Sequence, residues 1–258
     1  MNIPNKPAGT IIPLSEGSFT IDKTKIFVPF DQEKDDLQQR PIGSLLVEVQ
    51  PFCIITEKDI LLVDAGLGFK KNGAPQLLAN LQANGIQPGQ ITKVLMSHLH
   101  KDHAGGVSFA DRFGNYRLPF QNATYYVQKR EYETAMQTGY PSYMTDDFEI
   151  LDGNPQVQWL TKDEGKIDNY ISYQITGGHS IYHQVFWIGT NGQTLFFGGD
   201  DAPQLNQMKS RFVAKYDYDG KKCMELRRQW WEQGAQNGWT FLFYHDISNP
   251  VVKASALV

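Results

Sequence analysis

Between positions 91 and 96 the chain is largely aliphatic and β-branched, and it then enters Ser97-His98-Leu99-His100-Lys101-Asp102-His103-Ala104-Gly105-Gly106. The run reads as a buried strand. The glycine pair lets the backbone turn tightly behind whatever that strand delivers. What it delivers is three imidazoles and a carboxylate within six positions. These are the donors that zinc and similar borderline cations take, and closed structural zinc sites usually recruit cysteine, which is absent from this stretch. The strand is therefore expected to present a metal site at its end.

The same pattern recurs three times downstream: an apolar strand stops, and a His or Asp stands just past it. A run over 170–176 breaks at Gly177-Gly178-His179-Ser180, one over 194–197 ends in Gly198-Gly199-Asp200-Asp201, and one over 239–244 ends at His245-Asp246. Strand ends of one sheet system can converge, so His98, His100, Asp102, His103, His179, Asp200 and His245 form a candidate ligand set. Seven donors exceed what one tetrahedral zinc can use. Two cations roughly 3.5–4 Å apart, bridged by a carboxylate and a hydroxide, use all seven and leave a position open for substrate. Two divalent ions are expected, zinc first, although Mn, Fe or Co suits the same His and Asp donors.

The rest of the chain alternates between the two periods. Strands are expected at 10–14, 18–21, 26–30, 44–49, 53–56 and 60–63, the last closing on Asp64-Ala65-Gly66 at the sheet edge. A helix is expected over 75–84, with Pro75 in its first turn and Gly85 as a C-terminal cap. After the ligand cluster come a strand over 124–127 and a helix over 129–137. The stretch 138–165 has neither period and reads as a lid or binding loop. Asn191-Gly192 marks a hairpin. An amphipathic helix over 221–233 carries Cys223, Leu226, Trp230 and Trp231 on one side, a stripe read as core. Helices between strands point to layered α and β structure.

With 258 residues, one domain spanning 1–258 is expected. A net charge of -4 supplies no field that would gather polyanions, so nucleic acid is not expected as a partner. Cys53 and Cys223 lie far apart in apolar surroundings and read as small buried hydrophobes. The opening residues lack the pattern of a secretory leader. No segment approaches the roughly 18 unbroken apolar residues of a membrane span. The expectation is a cytoplasmic monomer or homodimer, away from membranes, acting on a small-molecule substrate. No Gly-x-Ser-x-Gly elbow signals a serine nucleophile.

His98-Leu99-His100-Lys101-Asp102-His103 matches the H-x-H-x-D-H signature of the metallo-β-lactamase-fold hydrolases, and the later elements, spanning 44 to 246, fall in that superfamily's order. The resemblance implies an α+β fold, a four-layer αββα sandwich with the metal site at the edge of two mixed sheets. Thr176-Gly177-Gly178-His179-Ser180 with His183-Gln184 resembles the T-P-G-H-x-x-x-H-Q run of the N-acyl homoserine lactonase branch. Gly199-Asp200, Tyr216-Asp217 and Phe243-Tyr244-His245-Asp246 are similar to quorum-quenching lactonases and related organophosphate hydrolases.

Carried over position by position, the resemblance assigns His98, His100 and His179 to one metal and Asp102, His103 and His245 to the other, with Asp200 bridging. It makes Asp64 a candidate for orienting ligands by hydrogen bonding, beside a purely structural strand-end role, and His183 a supporting residue. Two positions depart from the pattern. Gly178 stands where proline is common, a change expected to matter little, and Pro203 stands where several lactonases place a tyrosine that supports the substrate carbonyl. Tyr216 and Tyr218 are the candidates to replace it in the pocket; Phe30, Phe69 and Tyr143 are further candidates for its wall. The implied reaction is hydrolysis of a lactone or ester by hydroxide held between two cations, with Asp102 carrying the proton to the leaving oxygen. The alternatives on the same scaffold are a phosphotriesterase, a thioesterase or an iron-dependent oxidoreductase.

Overall fold

Neighbouring residues of the strand Phe52–Ile55 enter different cores: Phe52 and Ile54 face one way, Cys53 and Ile55 the other. The strand Ile60–Val63 divides likewise, with Leu61 and Val63 on the side of Phe52 and with Ile60 and Leu62 on the side of Cys53. Side chains alternate across a strand, so an unbroken apolar run is what a sheet covered on both faces requires. The computed structural model, which describes residues 6–111 and 113–254, shows what covers each face.

One sheet has the order Thr10–Pro13, Phe52–Ile55, Ile60–Val63, Lys93–Leu95, Thr124–Gln128, Val157–Leu160. Its first three strands are antiparallel and its last four run parallel. The other has the order Glu164–Ile167, Ile171–Ile175, Gln184–Thr190, Gln193–Phe197, Thr240–Leu242, Val251–Lys253, with only Gln193–Phe197 and Thr240–Leu242 parallel. Between the sheets, Phe52, Ile54, Leu61, Val63 and Leu95 meet Phe186, Ile188, Leu195, Phe197 and Leu242. Helices Gln76–Ala83 and Lys129–Thr138 seat Leu77, Leu81 and Ala135 on the outside of the first sheet. Helix Gly220–Asn237 seats Trp230 and Trp231 on the outside of the second, against Phe196 and Phe241. The architecture is the expected α+β, four-layer αββα sandwich of two mixed sheets. A smaller sheet, Val28–Pro29, Gly17–Ile21 and Leu45–Val49, completes the strand pairing that bears on the site.

Parallel pairing positions the candidate ligands. Val63 is in register with Leu95, so the chains leaving those strands bring Asp64 beside Ser97. Phe197 is in register with Leu242, so Asp200 and His245 leave the second sheet at one edge.

The structure revises several boundaries. The expected strand at 26–30 shrinks to Val28–Pro29, because it is exposed and Pro29 has no N–H to donate. The irregular stretch is shorter than 138–165: Val157–Leu160 and Glu164–Ile167 form edge strands, one on each large sheet. The long helix runs four residues past 233, to Asn237, and is capped by Gly238 at φ +66°. A strand at Val251–Lys253, unread in the sequence, closes the second sheet. Both cysteines are buried and unbridged. Among the described residues no helix is long and apolar enough to cross a membrane. The leader-free reading falls on residues 1–7, of which Met1–Asn5 lie outside the described residues.

Candidate metal centre

The strand Lys93–Leu95 hands the chain to a single helical turn, Lys101–Ala104, which puts Asp102 and His103 beside the two preceding histidines. That turn is held from behind by close backbone packing. A Cβ on Gly106 would stand 2.1 Å from the Ala65 carbonyl oxygen, so the loop after Asp64 can lie against it only because no side chain intervenes.

All seven expected donors converge. His98, His100, His179 and Asp200 place one donor atom each within 4.8 Å of one another, and Asp102, His103, Asp200 and His245 do the same. Asp200 belongs to both groups and divides its oxygens between them. Its Oδ2 lies 3.2 Å from His179 Nε2, whereas its Oδ1 lies 3.0 Å from His103 Nε2 and 3.1 Å from His245 Nε2. His100 Nδ1 is 3.0 Å from both His98 Nε2 and His179 Nε2, and Asp102 Oδ2 is 3.4 Å from His245 Nε2.

The outward-facing nitrogens fix the tautomers. His245 Nδ1 meets the Glu48 carbonyl at 2.6 Å, an atom that can only accept, so the proton sits on Nδ1 and the Nε2 lone pair points inward. His179 Nδ1 donates to Asp217 Oδ1 (2.8 Å) and His103 Nδ1 to Asp64 Oδ2 (2.7 Å). Ser97 Oγ gives its own proton to Asp64 Oδ2 (2.7 Å) and thus accepts from His98 Nδ1 (3.0 Å). In their neutral form, four imidazoles therefore turn lone pairs toward one another. His103 Nε2 and Asp200 Oδ1 are buried and lack a hydrogen-bond partner among the described residues. Converging lone pairs and carboxylate oxygens with no donor between them fit a divalent cation.

Charge tells the same story. Burial holds His98 and His100 well below the usual imidazole range, and neighbouring imidazoles push the same way. Burial also opposes charge on His103, His179 and His245, but the carboxylates around them, Asp200 foremost, together outweigh it and raise all three. Asp200, though burial disfavours its ionised form, is held well below the carboxylate range by His103, His245 and His179. Without a cation, protons balance the acids; a cation would displace them.

The supporting residues are now specific. Asp64 spends both oxygens on Ser97 and His103 and so acts through them. His183 Nε2 accepts the Asp200 N–H (3.1 Å), and its Nδ1 lies 2.9 Å from Asp201 Oδ2, so it braces the site from outside the donor cluster. Sequence reasoning assigned no role to Glu131, whose oxygens accept from the Leu99 N–H and the Ser180 hydroxyl and so tie both ligand loops to helix Lys129–Thr138. Nor did it assign one to Tyr244, which stacks on His103 at 4.0 Å and donates to the Asp102 carbonyl (2.6 Å). Asp201 was signalled only by adjacency to Asp200, and it accepts the His179 N–H (2.7 Å).

A cavity of about 390 Å³ opens onto the donors, walled by Ile21, Phe27, Leu45, Val47, Pro203 and Tyr216. Tyr216, 48% exposed as a whole, packs 6.1 Å from the His179 ring; partial burial of its phenol, with the Asp217 and Asp200 carboxylates, pushes that group up and keeps the O–H. Tyr218 is 65% exposed and contributes no wall, its backbone N–H meeting the His179 carbonyl instead. Phe30 and Phe69 likewise lie elsewhere, and Tyr143 is buried behind His100, ring to ring at 4.8 Å.

Residues 46–229 match the family model described as the metallo-beta-lactamase superfamily. The N-acyl homoserine lactonase AttM of Azorhizobium caulinodans is 32% identical over 126 residues, 43% of this chain and 41% of that protein. This chain thus matches less than half the length of that relative. Among solved structures, a probable metal-dependent hydrolase from Staphylococcus aureus aligns with TM-score 0.77 at 24% identity, covering 97% of this chain and 94% of the other. AidC, a dizinc quorum-quenching lactonase in complex with a product, aligns with TM-score 0.73 at 17% identity, covering 98% and 93%. At such identities the structural likeness speaks for the fold.

Proposed function

Because this chain belongs to the metallo-beta-lactamase superfamily, we propose that it is a hydrolase that binds two divalent cations, zinc first among them, and opens a lactone or ester as one domain. The observation that carries this reading is the division of Asp200, with Oδ2 toward His179 and Oδ1 toward His103 and His245. His98, His100 and His179 would hold one cation, Asp102, His103 and His245 the other, and Asp200 both. When bound, such a pair polarises a carbonyl oxygen and lowers the pKa of water to about 7, which supplies hydroxide at neutral pH. The relatives named as N-acyl homoserine lactonases support a cyclic ester as substrate.

The chain's own residues supply position and proton transfer. Ile21, Phe27, Leu45 and Val47 form an apolar wall for the body of the substrate and exclude water from it. The Tyr216 phenol, protonated and lining the cavity, donates to the substrate's carbonyl oxygen, the task left open by Pro203. The Asp102 carboxylate lines the same cavity, takes the proton that the attacking oxygen sheds and passes it to the leaving oxygen.

A hydrolysis panel on metal-replete protein tests the reading: acyl homoserine lactones, aryl esters, phosphotriesters, a β-lactam and a glutathione thioester. Turnover of lactones or aryl esters is expected, and activity confined to the last two would refute it. For Asp102→Asn, a full metal complement with unimpaired turnover would remove the proton-transfer role.

A further inference from the structure

The cavity that meets the donors also contains two half-buried lysines, Lys25 and Lys101. Lys101 stands between His100 and Asp102, its ammonium 5.7 Å from the centre of the Phe27 ring. Lys25 follows the strand Gly17–Ile21 in a turn closed by its N–H on the Asp22 carbonyl (3.0 Å), at a φ of +58°. Ser142 holds both: its hydroxyl accepts from Lys25 Nζ and its carbonyl accepts the Lys101 N–H (3.0 Å).

Among the described residues, neither ammonium forms an ion pair with a carboxylate. Asp22, in the same turn, accepts the N–H and hydroxyl of Thr24. Asp102 and Asp200 belong to the donor cluster. Lys23 and Asp22 line the same cavity, and Asp102 attracts Lys101 without pairing with it. Two half-buried like charges thus stand on a partly apolar wall with no ion pair to either, an arrangement that partial burial makes costly until a further negative group arrives.

We propose that the substrate brings this group: the site takes an anionic lactone or ester, one carrying a carboxylate that Lys25 and Lys101 hold while its reactive carbonyl faces the donors. The proposal rests on the hydrolase reading for the ester, but not for the anion. Ammonium groups act here as point charges, each worth a charge-assisted hydrogen bond.

Two measurements on metal-loaded protein separate the claims. In calorimetry, straight-chain dicarboxylates from succinate to adipate are compared with monocarboxylates of the same length. At least one dicarboxylate is expected to bind about tenfold tighter or better, as a charge-assisted contact allows. That gain should vanish in Lys25→Met/Lys101→Met, persist in Lys25→Arg/Lys101→Arg, and shrink with added salt in the wild type. In kinetics, kcat/KM is compared for mono-4-nitrophenyl glutarate and 4-nitrophenyl butyrate. The anionic ester should be favoured about tenfold or more, with the ratio falling toward one in the methionine pair. Esters hydrolysed without such a ratio, together with no dicarboxylate gain, overturn the anion site and leave the hydrolase reading standing. Lysine-dependent dicarboxylate binding with neither ester cleaved does the reverse. Should the methionine pair fail to fold by circular dichroism, a wild-type gain insensitive to salt would still overturn the proposal.

Discussion

Asp64 Oδ2 accepts the His103 Nδ1 proton at 2.7 Å from a residue held at φ +55°, a left-handed backbone that residues with a Cβ rarely adopt. The same carboxylate accepts from the Ser97 N–H and hydroxyl, so one strained residue orients the loop that carries His98 and the ring of His103. Asp64→Asn keeps the volume but replaces one acceptor oxygen by an NH₂ group. Metal affinity is expected to fall about 10- to 100-fold with the fold intact. Competition with a chelator, read beside circular dichroism, checks this; unchanged affinity would return Asp64 to a structural role.

Gly178 is tighter than its place in the motif implied. A Cβ there would stand 2.4 Å from Asp201 Oδ1 and 2.7 Å from Cys223 Sγ, so proline is excluded by the local packing and the departure matters here. Gly178→Ala is expected to cost about 1–3 kcal/mol, the usual range for overpacking. Cys223→Ala should recover part of that loss, since it frees one of the two contacts; thermal melts of the four members of the cycle measure the coupling.

Burial pushes the Glu16 carboxyl up to about 8, although the Leu67 N–H favours its ionised form. The folded state then binds the Glu16 proton more tightly than the unfolded chain, whose carboxyl titrates near the ordinary 4.5. Its contribution is fully present below about 4.5 and is lost as pH rises through about 8. Metal-free wild type should therefore lose stability across that window relative to Glu16→Gln. Parallel pH profiles in urea titrations would sink the assignment.

The donors come from both large sheets: His98 to His103 follow the strand Lys93–Leu95, while Asp200 and His245 follow Gln193–Phe197 and Thr240–Leu242. A cation at 100 times its Kd stabilises the folded state by about 2.7 kcal/mol. Chelation should then lower Tm by roughly 5–10 °C, given about 2–4 °C per kcal/mol for a chain near this size. Calorimetric scans with and without chelator report it, and the loss should reverse on adding zinc.

The ligand positions were legible because each is local: an apolar run ends, and the next polar residue stands at a sheet edge. Layered α and β structure was legible in the order of strand, helix and strand, and the four αββα layers only through the family motif. What could not be read depends on loops meeting from far apart. Asp217 reaches His179 across 38 positions and Glu131 reaches Ser180 across 49; the first stood in a recognised motif without a role, and the second carries no local signal. Tyr216 and Tyr218 have the same side chain two positions apart, yet only the first lines the cavity. The strand Val251–Lys253 is three residues long and follows Pro250, too short for a period to show.

The cavity wall contributed by Ile21, Lys25, Phe27, Leu45 and Val47 belongs to the small sheet and its connections, none of which supplies a donor to the cluster. The apolar wall and the donors thus come largely from different stretches, although Lys101, between two of the donors, also lines the cavity. A different turn grafted between the strands Gly17–Ile21 and Val28–Pro29 is therefore expected to change what the cavity binds while every donor keeps its place in the chain.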